Sequence, residues 1–250
     1  MLAGAGLSWQ RGTTFAVRAG DAIVYKPGSG PHTMHALDET LDVLAFGTRE
    51  YDESPRFPQL AMSLLGGRAV QSVGSERGRP PIQFEREAEH GPPELPAQPG
   101  ERRATVANID EVEPVVVARE RVHRTRRNLG RAIGSTRSGL QHVTVEPGRQ
   151  SAPLHCHSIE EEIFVILDGQ GVLILDRDET EVGPGHVVVR PAGTGVSHAF
   201  RAGERGLTYL AYGTRDPGDV CYYPRSNKIA FRGVGVIGRL ERLDYWDGED

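Results

Sequence analysis

The chain holds 250 residues, enough for two modest domains or one large one. A formal net charge of −5 gives no global pull toward nucleic acid, and no apolar run approaches the ~20 residues needed to cross a bilayer. Hydrophobic residues make up only 38%, while 31 glycines and 17 prolines favour a β-rich fold with many tight turns.

The start, residues 1–6, has neither a basic flank nor a long apolar core and does not read as a secretion signal. Residues 2–6 parallel residues 167–171, and residues 17–27 resemble residues 182–191. His32 stands to His198 as Leu44-Ala45-Phe46-Gly47-Thr48-Arg49 stands to Leu210-Ala211-Tyr212-Gly213-Thr214-Arg215. One short β unit is therefore expected twice, as a duplicated domain rather than a solenoid. The first copy begins late: nothing ahead of Met1 matches the stretch that precedes Leu167. A misplaced start codon or a truncated gene is the simplest explanation, and a half-barrel completed by linker strands or a partner chain is the alternative. Residues 58–65 are expected to make a helical turn or two.

Residues 75–103 carry Pro80, Pro81, Pro92, Pro93, Pro96 and Pro99 among many charges, which excludes a regular helix or central strand. This stretch reads as a mobile linker or an extended surface loop. The expected layout is thus 1–70 for the partial first copy, 71–104 for the linker and 105–250 for the complete copy. A basic stretch with Arg119, Arg121, Arg124, Arg126, Arg127 and Arg131 follows. Anion binding is one reading. The plainer one, preferred from sequence, is a solvated segment balanced by Asp110, Glu111 and Glu113.

From Leu140 onward the apolar runs are short and broken by Gly, Pro and Asp. Strands are expected at 163–167, 172–175, 187–189 and 207–212, the pattern of an antiparallel sandwich or barrel. Residues two apart on a strand face the same side, so His155 and His157 can both point inward while Cys156 points away. Glu162 opens the next strand, and His198 comes from a distant one. Imidazole nitrogens and a carboxylate oxygen suit a divalent ion such as Mn, Fe, Ni or Zn, with positions left for water or substrate. Four polar groups aimed into a small barrel without an ion would cost ~1–3 kcal/mol each. Among the consecutive acids, the spacing to Gly169 favours Glu162 as ligand; Glu160 is left as a supporting group or catalytic base, and Glu161 opposes both.

Two features are set aside. Residues 233–238 fit GxGxxG but lack the helix and acidic residue that a dinucleotide site needs, so a glycine-rich strand or bulge is expected. Cys156 and Cys221 have no separate His–acid pair and read as passive, and two cysteines make no disulfide framework, which points to a reducing cytoplasm. Tyr222, Tyr223, Arg225 and Lys228 are read as surface packing.

These residues resemble the cupin superfamily. Its first motif matches Gly148, His155, His157, Glu162 and Gly169, and its second matches Gly185, Pro191, Gly193 and His198. The gap from Gly148 to His155 is one residue longer than usual, Gly193 and His198 are spaced more widely, and the usual Asn after the last His is missing. The resemblance covers residues 105–250 well and 1–55 as a partial copy. It implies an all-β, double-stranded β-helix (jelly-roll) barrel, duplicated with an N-terminally incomplete first copy, and often dimeric. Only His32 matches a ligand position in the first copy, His35 being out of place, so no catalytic metal is expected there. The implied activity is a metal-dependent dioxygenase or isomerase acting on a small oxygen-rich metabolite. A non-catalytic, metal-containing small-molecule binder is the alternative. No nucleic acid or membrane partner is expected.

Overall fold

The structure, a computed structural model, describes residues 1–48, 54–57, 60, 62–65, 68–71 and 88–249. It divides into two compact units, Met1–Asn108 and Ile109–Asp250. No described helix is long and apolar enough to cross a membrane.

The first unit contains β1 (Ala5–Gln10), β2 (Thr13–Arg18), β3 (Asp21–Ile23), β4 (His32–Ala36), β5 (Arg56–Phe57), β6 (Met62–Leu65), β7 (Arg68–Gln71) and β8 (Val106–Asn108). Its sheets run β2-β1-β4, β3-β8 and β5-β6-β7. Phe15, Val17 and Val106 form a small core. The helical turn expected over 58–65 is not what forms at its described end. Met62–Leu65 is a strand, because it pairs on both sides, with β5 and with β7. Arg49, Pro58, Ser75, Pro80 and Pro81 fall outside the described residues. The end of the Pro-rich stretch is tied down: the Arg102 guanidinium meets the buried Asp21 carboxylate at 2.5 Å, and Asn108 Nδ2 donates to the same carboxylate at 2.8 Å.

The second unit contains β9 (Pro114–Ala118), β10 (His123–Arg127), β11 (Ser138–Val145), β12 (Cys156–His157), β13 (Glu162–Leu175), β14 (Asp178–Val182), β15 (Val187–Arg190), β16 (His198–Thr214), β17 (Val220–Tyr223), β18 (Lys228–Phe231) and β19 (Val236–Arg239). One sheet runs β14-β13-β16-β11-β10-β9, with β15 also on β13, and the second runs β12-β17-β18-β19. This is the all-β jelly roll that the motifs imply. Val145, Phe164, Ile166, Phe200, Leu207 and Tyr209 anchor the core. Phe164 packs edge-on against Phe200 and Tyr209, at centroid distances of 5.1 and 5.7 Å. Each such burial is worth roughly 1.5–3 kcal/mol.

Two expected strand boundaries are corrected. The strands foreseen at 163–167 and 172–175 are one 14-residue strand, β13. The strand foreseen at 207–212 extends to 17 residues as β16. Asp168 and Gly169 do not turn the chain; they stay paired with Thr208 and Leu207, and β13 shifts register against β16 through a bulge on either side of them. A bulge bends a strand without ending its pairing. Gly169 has φ +76°, and a Cβ there would lie 2.2 Å from the Gly206 carbonyl oxygen.

The correspondences read between residues 1–36 and the second half recur as equal pairing positions. Gly6 faces Val17 and Ala36; Gly171 faces Val182 and Ala202. Leu7 faces His35 as Val172 faces Arg201, and Gln10 faces His32 as Leu175 faces His198. Gly4 and Gly169 both have positive φ, and each leaves no room for a Cβ against a facing backbone carbonyl.

Candidate metal centre

The structure brings His155, His157, Glu162 and His198 together inside the second unit. Glu162 is the first residue of β13 and His198 the first of β16; His155 and His157 come from the loop and short strand leading into the sheet. A bridge pairs His155 with His198, the His155 amide donating to the His198 carbonyl at 3.3 Å and the reverse bond measuring 2.8 Å. His198 Nε2 lies 3.0 Å from Glu162 Oε2, and His157 Nε2 lies 3.7 Å from the same oxygen. One ligand atom each from His155, Glu162 and His198 fall within 4.8 Å of one another. Two ligands at ~2.0–2.2 Å from a common ion stand at such separations.

Three observations fit a cation here. Glu162 Oε2 is buried and makes no hydrogen bond of acceptable geometry, an arrangement that costs ~1–3 kcal/mol unless something else satisfies it. The outer nitrogens of two imidazoles are already engaged. His155 Nδ1 donates to the Pro153 carbonyl at 2.9 Å, and His157 Nδ1 donates to Asp219 Oδ2 at 2.7 Å. Both bonds place the lone pair on Nε2, facing the Glu162 side. Finally, burial and then the neighbouring His198 charge bring the His155 imidazole down to about 4, so it is neutral at pH 7, as a ligand must be. Burial works to raise the Glu162 carboxyl, but contact with His198 and the charges of His155 and His157 outweigh it, and the group stays ionised.

Asp219 is the residue that the sequence concealed. It is 1% exposed and accepts from His157, from the Ile159 amide at 3.0 Å and from the Glu160 amide at 3.1 Å. Arg232 reaches it at 3.1 Å. One carboxylate thus fixes both the His157 tautomer and the loop that carries Glu160. Only an acid beside the Pro217-Gly218 turn hinted at it.

Glu160 lies outside β13, where the turn ahead of Glu162 still aims it into the same cavity. Its Oε2 is 3.6 Å from His157 Nδ1 and pairs with Arg232. A Cβ on Gly213 would meet Glu160 Oε1 at 2.4 Å, so only glycine admits the carboxylate there. Glu161 is exposed, its amide bonded to Thr214 Oγ1 at 3.1 Å.

Cys156 is buried beside Asp176 and Arg190. Cys221, opposite His157 on β17, comes within 4.8 Å of His155 and His157 ligand atoms. Burial pushes its thiol up to about 11, which keeps it protonated at neutral pH. Tyr223, read as surface packing, instead lines the cavity and stacks 5.8 Å from His155. In the first unit His32 stacks on Tyr25 at 3.7 Å, and its Nδ1 lies 3.2 Å from the Gly30 carbonyl.

A cavity of about 290 Å³ adjoins the four residues. Its wall includes Arg124 and Arg126, which corrects the expectation that the basic stretch is merely solvated. On β10 these two alternate with His123, Thr125 and Arg127, and their partners on β11 are the core residues Val145 and Val143.

A family model described as the Cupin domain matches residues 141–210. Among solved structures, a provisionally assigned sugar phosphate isomerase from Acidithiobacillus ferrooxidans is 30% identical over 48% of this chain and 82% of its own, with a TM-score of 0.44. A sugar phosphate isomerase of a cupin superfamily from Silicibacter pomeroyi is 27% identical over 55% of this chain and 96% of its own, at 0.49. A polyketide cyclase from Streptomyces resistomycificus is 26% identical over 46% of this chain and 79% of its own, at 0.38. No curated protein matches the chain.

Proposed function

The chain belongs to the cupin superfamily, and from that premise we propose that its second unit is a metal-dependent enzyme of the isomerase type, moving a proton beside a carbonyl of a small oxygen-rich metabolite. His155, His157, Glu162 and His198 would hold a divalent ion. When bound, that ion supplies Lewis acidity toward substrate oxygens. The observation that carries the reading is the buried Glu162 Oε2, within 3.0 Å of His198 Nε2 and 3.7 Å of His157 Nε2, with the outer nitrogens of His155 and His157 already occupied.

Glu160 is the group placed to move the proton. It is a carboxylate outside the proposed ligand set, it faces the same cavity, and its ion pair with Arg232 orients it. Asp219 holds its backbone through the amide bond at 3.1 Å. Tyr209, whose hydroxyl is pushed up to about 12 by burial, remains a proton donor in hydrogen bonds and closes the inner wall. Phe164, 5.6 Å from His198, gives the cavity an apolar wall beside the ligands.

The test pairs metal analysis with solvent-deuterium incorporation into a panel of hydroxy-aldehydes and hydroxy-ketones. Purified protein should carry stoichiometric metal that His155→Ala loses. Glu160→Gln should keep the metal and lose deuterium incorporation by 10²-fold or more. Oxygen consumption without deuterium exchange would replace this reading with an oxygenase, and metal-free wild-type protein would remove it.

A further inference from the structure

Arg124 and Arg126 occupy positions where a barrel strand normally buries hydrophobic side chains. Their partners across the sheet, Val145 and Val143, are 0% and 2% exposed. Both side chains enter the cavity that adjoins the candidate metal centre, and Arg215, just past the end of β16, joins them there. The backbone makes room: Gly139 faces Gly213 across β11 and β16. A Cβ on Gly139 would stand 2.8 Å from Arg215 Nε, so the guanidinium lies directly over that glycine.

Three guanidinium groups thus share one cavity wall. Among the described residues no carboxylate pairs with any of them. The Nε atoms of Arg124 and Arg126 are buried without a hydrogen-bond partner. Tyr209 is a polar neighbour of Arg124, and it is a neutral one. Arg126 is disfavoured as a cation first by burial and then by the charges of Arg124 and Arg215. A cluster of like charges, partly buried and without a paired carboxylate, is costly in the free protein. That cost is removed when an anion enters, and guanidinium forks match phosphate oxygens with paired hydrogen bonds.

We infer that Arg124, Arg126 and Arg215 form a subsite for a doubly charged phosphate monoester, so that the substrate carries a phosphate group as well as the oxygens offered to the metal centre. Three cationic groups call for more charge than a single carboxylate brings. The cavity, about 290 Å³, suits a phosphorylated molecule of a few carbons rather than a nucleotide. The inference rests on the proposed reading of this cavity as the substrate site, and it adds the chemical class of that substrate.

The test is calorimetric binding of glycerol 3-phosphate, glycerol and acetate to the full chain, each with and without added Mn(II). Glycerol 3-phosphate should bind, with glycerol and acetate at least tenfold weaker. Arg126→Gln and Arg215→Gln should each weaken glycerol 3-phosphate tenfold or more while the bound metal stays at its wild-type level. Inorganic phosphate should also protect Arg124, Arg126 and Arg215 of the wild-type protein from phenylglyoxal, a readout that needs no variant to fold. Metal-loaded protein that does not bind glycerol 3-phosphate, binds acetate equally well, or gives no protection overturns this inference and leaves the metal reading standing. Arginine-dependent phosphate binding by protein that takes up no metal upholds the subsite and removes the metal reading instead.

Discussion

Replacing Asp219 by asparagine probes how the candidate centre is held together. The substitution preserves shape and one acceptor oxygen, which can still receive the Ile159 and Glu160 amides at 3.0 and 3.1 Å. The other terminal atom changes from acceptor to donor. It then faces two donors, His157 Nδ1 at 2.7 Å and Arg232 at 3.1 Å. The conflict is relieved when His157 shifts its proton to Nε2, which takes the lone pair away from Glu162 and the metal position. Partners of this kind are worth about 10–100-fold in metal affinity, or about 1.4–2.7 kcal/mol. Losing a charge-assisted bond also lowers the stability of the metal-free protein by about 1.5–3 kcal/mol. Chelator competition with Mn(II) or Zn(II) measures the first effect and urea unfolding the second. Asp216→Asn is the control, since that side chain serves only its own turn through the Gly218 amide at 2.7 Å. A folded Asp219→Asn protein with metal affinity within twofold of wild type would refute the reasoning.

Three further outcomes are expected. Glu162→Gln should lose most of the bound metal while Glu161→Gln keeps it, because Glu161 is exposed and its hydrogen bonds to Thr214 are made by its backbone; equal loss by metal analysis would mean that the inward face has been misassigned. Gly169→Ala should unfold at clearly lower urea than Gly185→Ala, since both have positive φ but only Gly169 faces a carbonyl oxygen, at 2.2 Å; the shared backbone cost is ~1–2 kcal/mol, and identical midpoints would discount the close approach. The His155 imidazole titrates at about 4 when folded and near 6.5 when unfolded. Between those values the unfolded chain binds more protons, so metal-free protein should lose stability as pH falls from 6.5 toward 4, by at most about 1.4 kcal/mol per unit from this group. Urea midpoints across that range test the sign, and His155→Gln should flatten the slope.

Much of the architecture was legible from local patterns. The short β-branched runs, the glycine and proline breaks, and the two-residue spacing of His155 and His157 all report on a strand period that depends only on neighbours in the chain. The same holds for the glycines shared by the two halves, because positive φ at Gly4 and Gly169 is a demand of the backbone itself. The boundary at Asp168 and Gly169 was misread for a physical reason. A turn and a bulge use the same residues, and which one forms depends on whether β16 lies alongside.

The sequence by itself determined which residues can alternate, bend and carry metal-ligand chemistry. Tertiary structure alone decided what stands around them. Asp219 acquires its role only because β17 follows β12 in the second sheet and brings its carboxylate under His157. Arg124 and Arg126 look like solvated charges until β10 pairs with β11 and turns them inward. Glu160 is set apart from Glu161 by Arg232, by the Asp219 carboxylate that holds its amide, and by the open space over Gly213. Each of these depends on which strands become neighbours, a contact between residues far apart in the chain that no local period encodes.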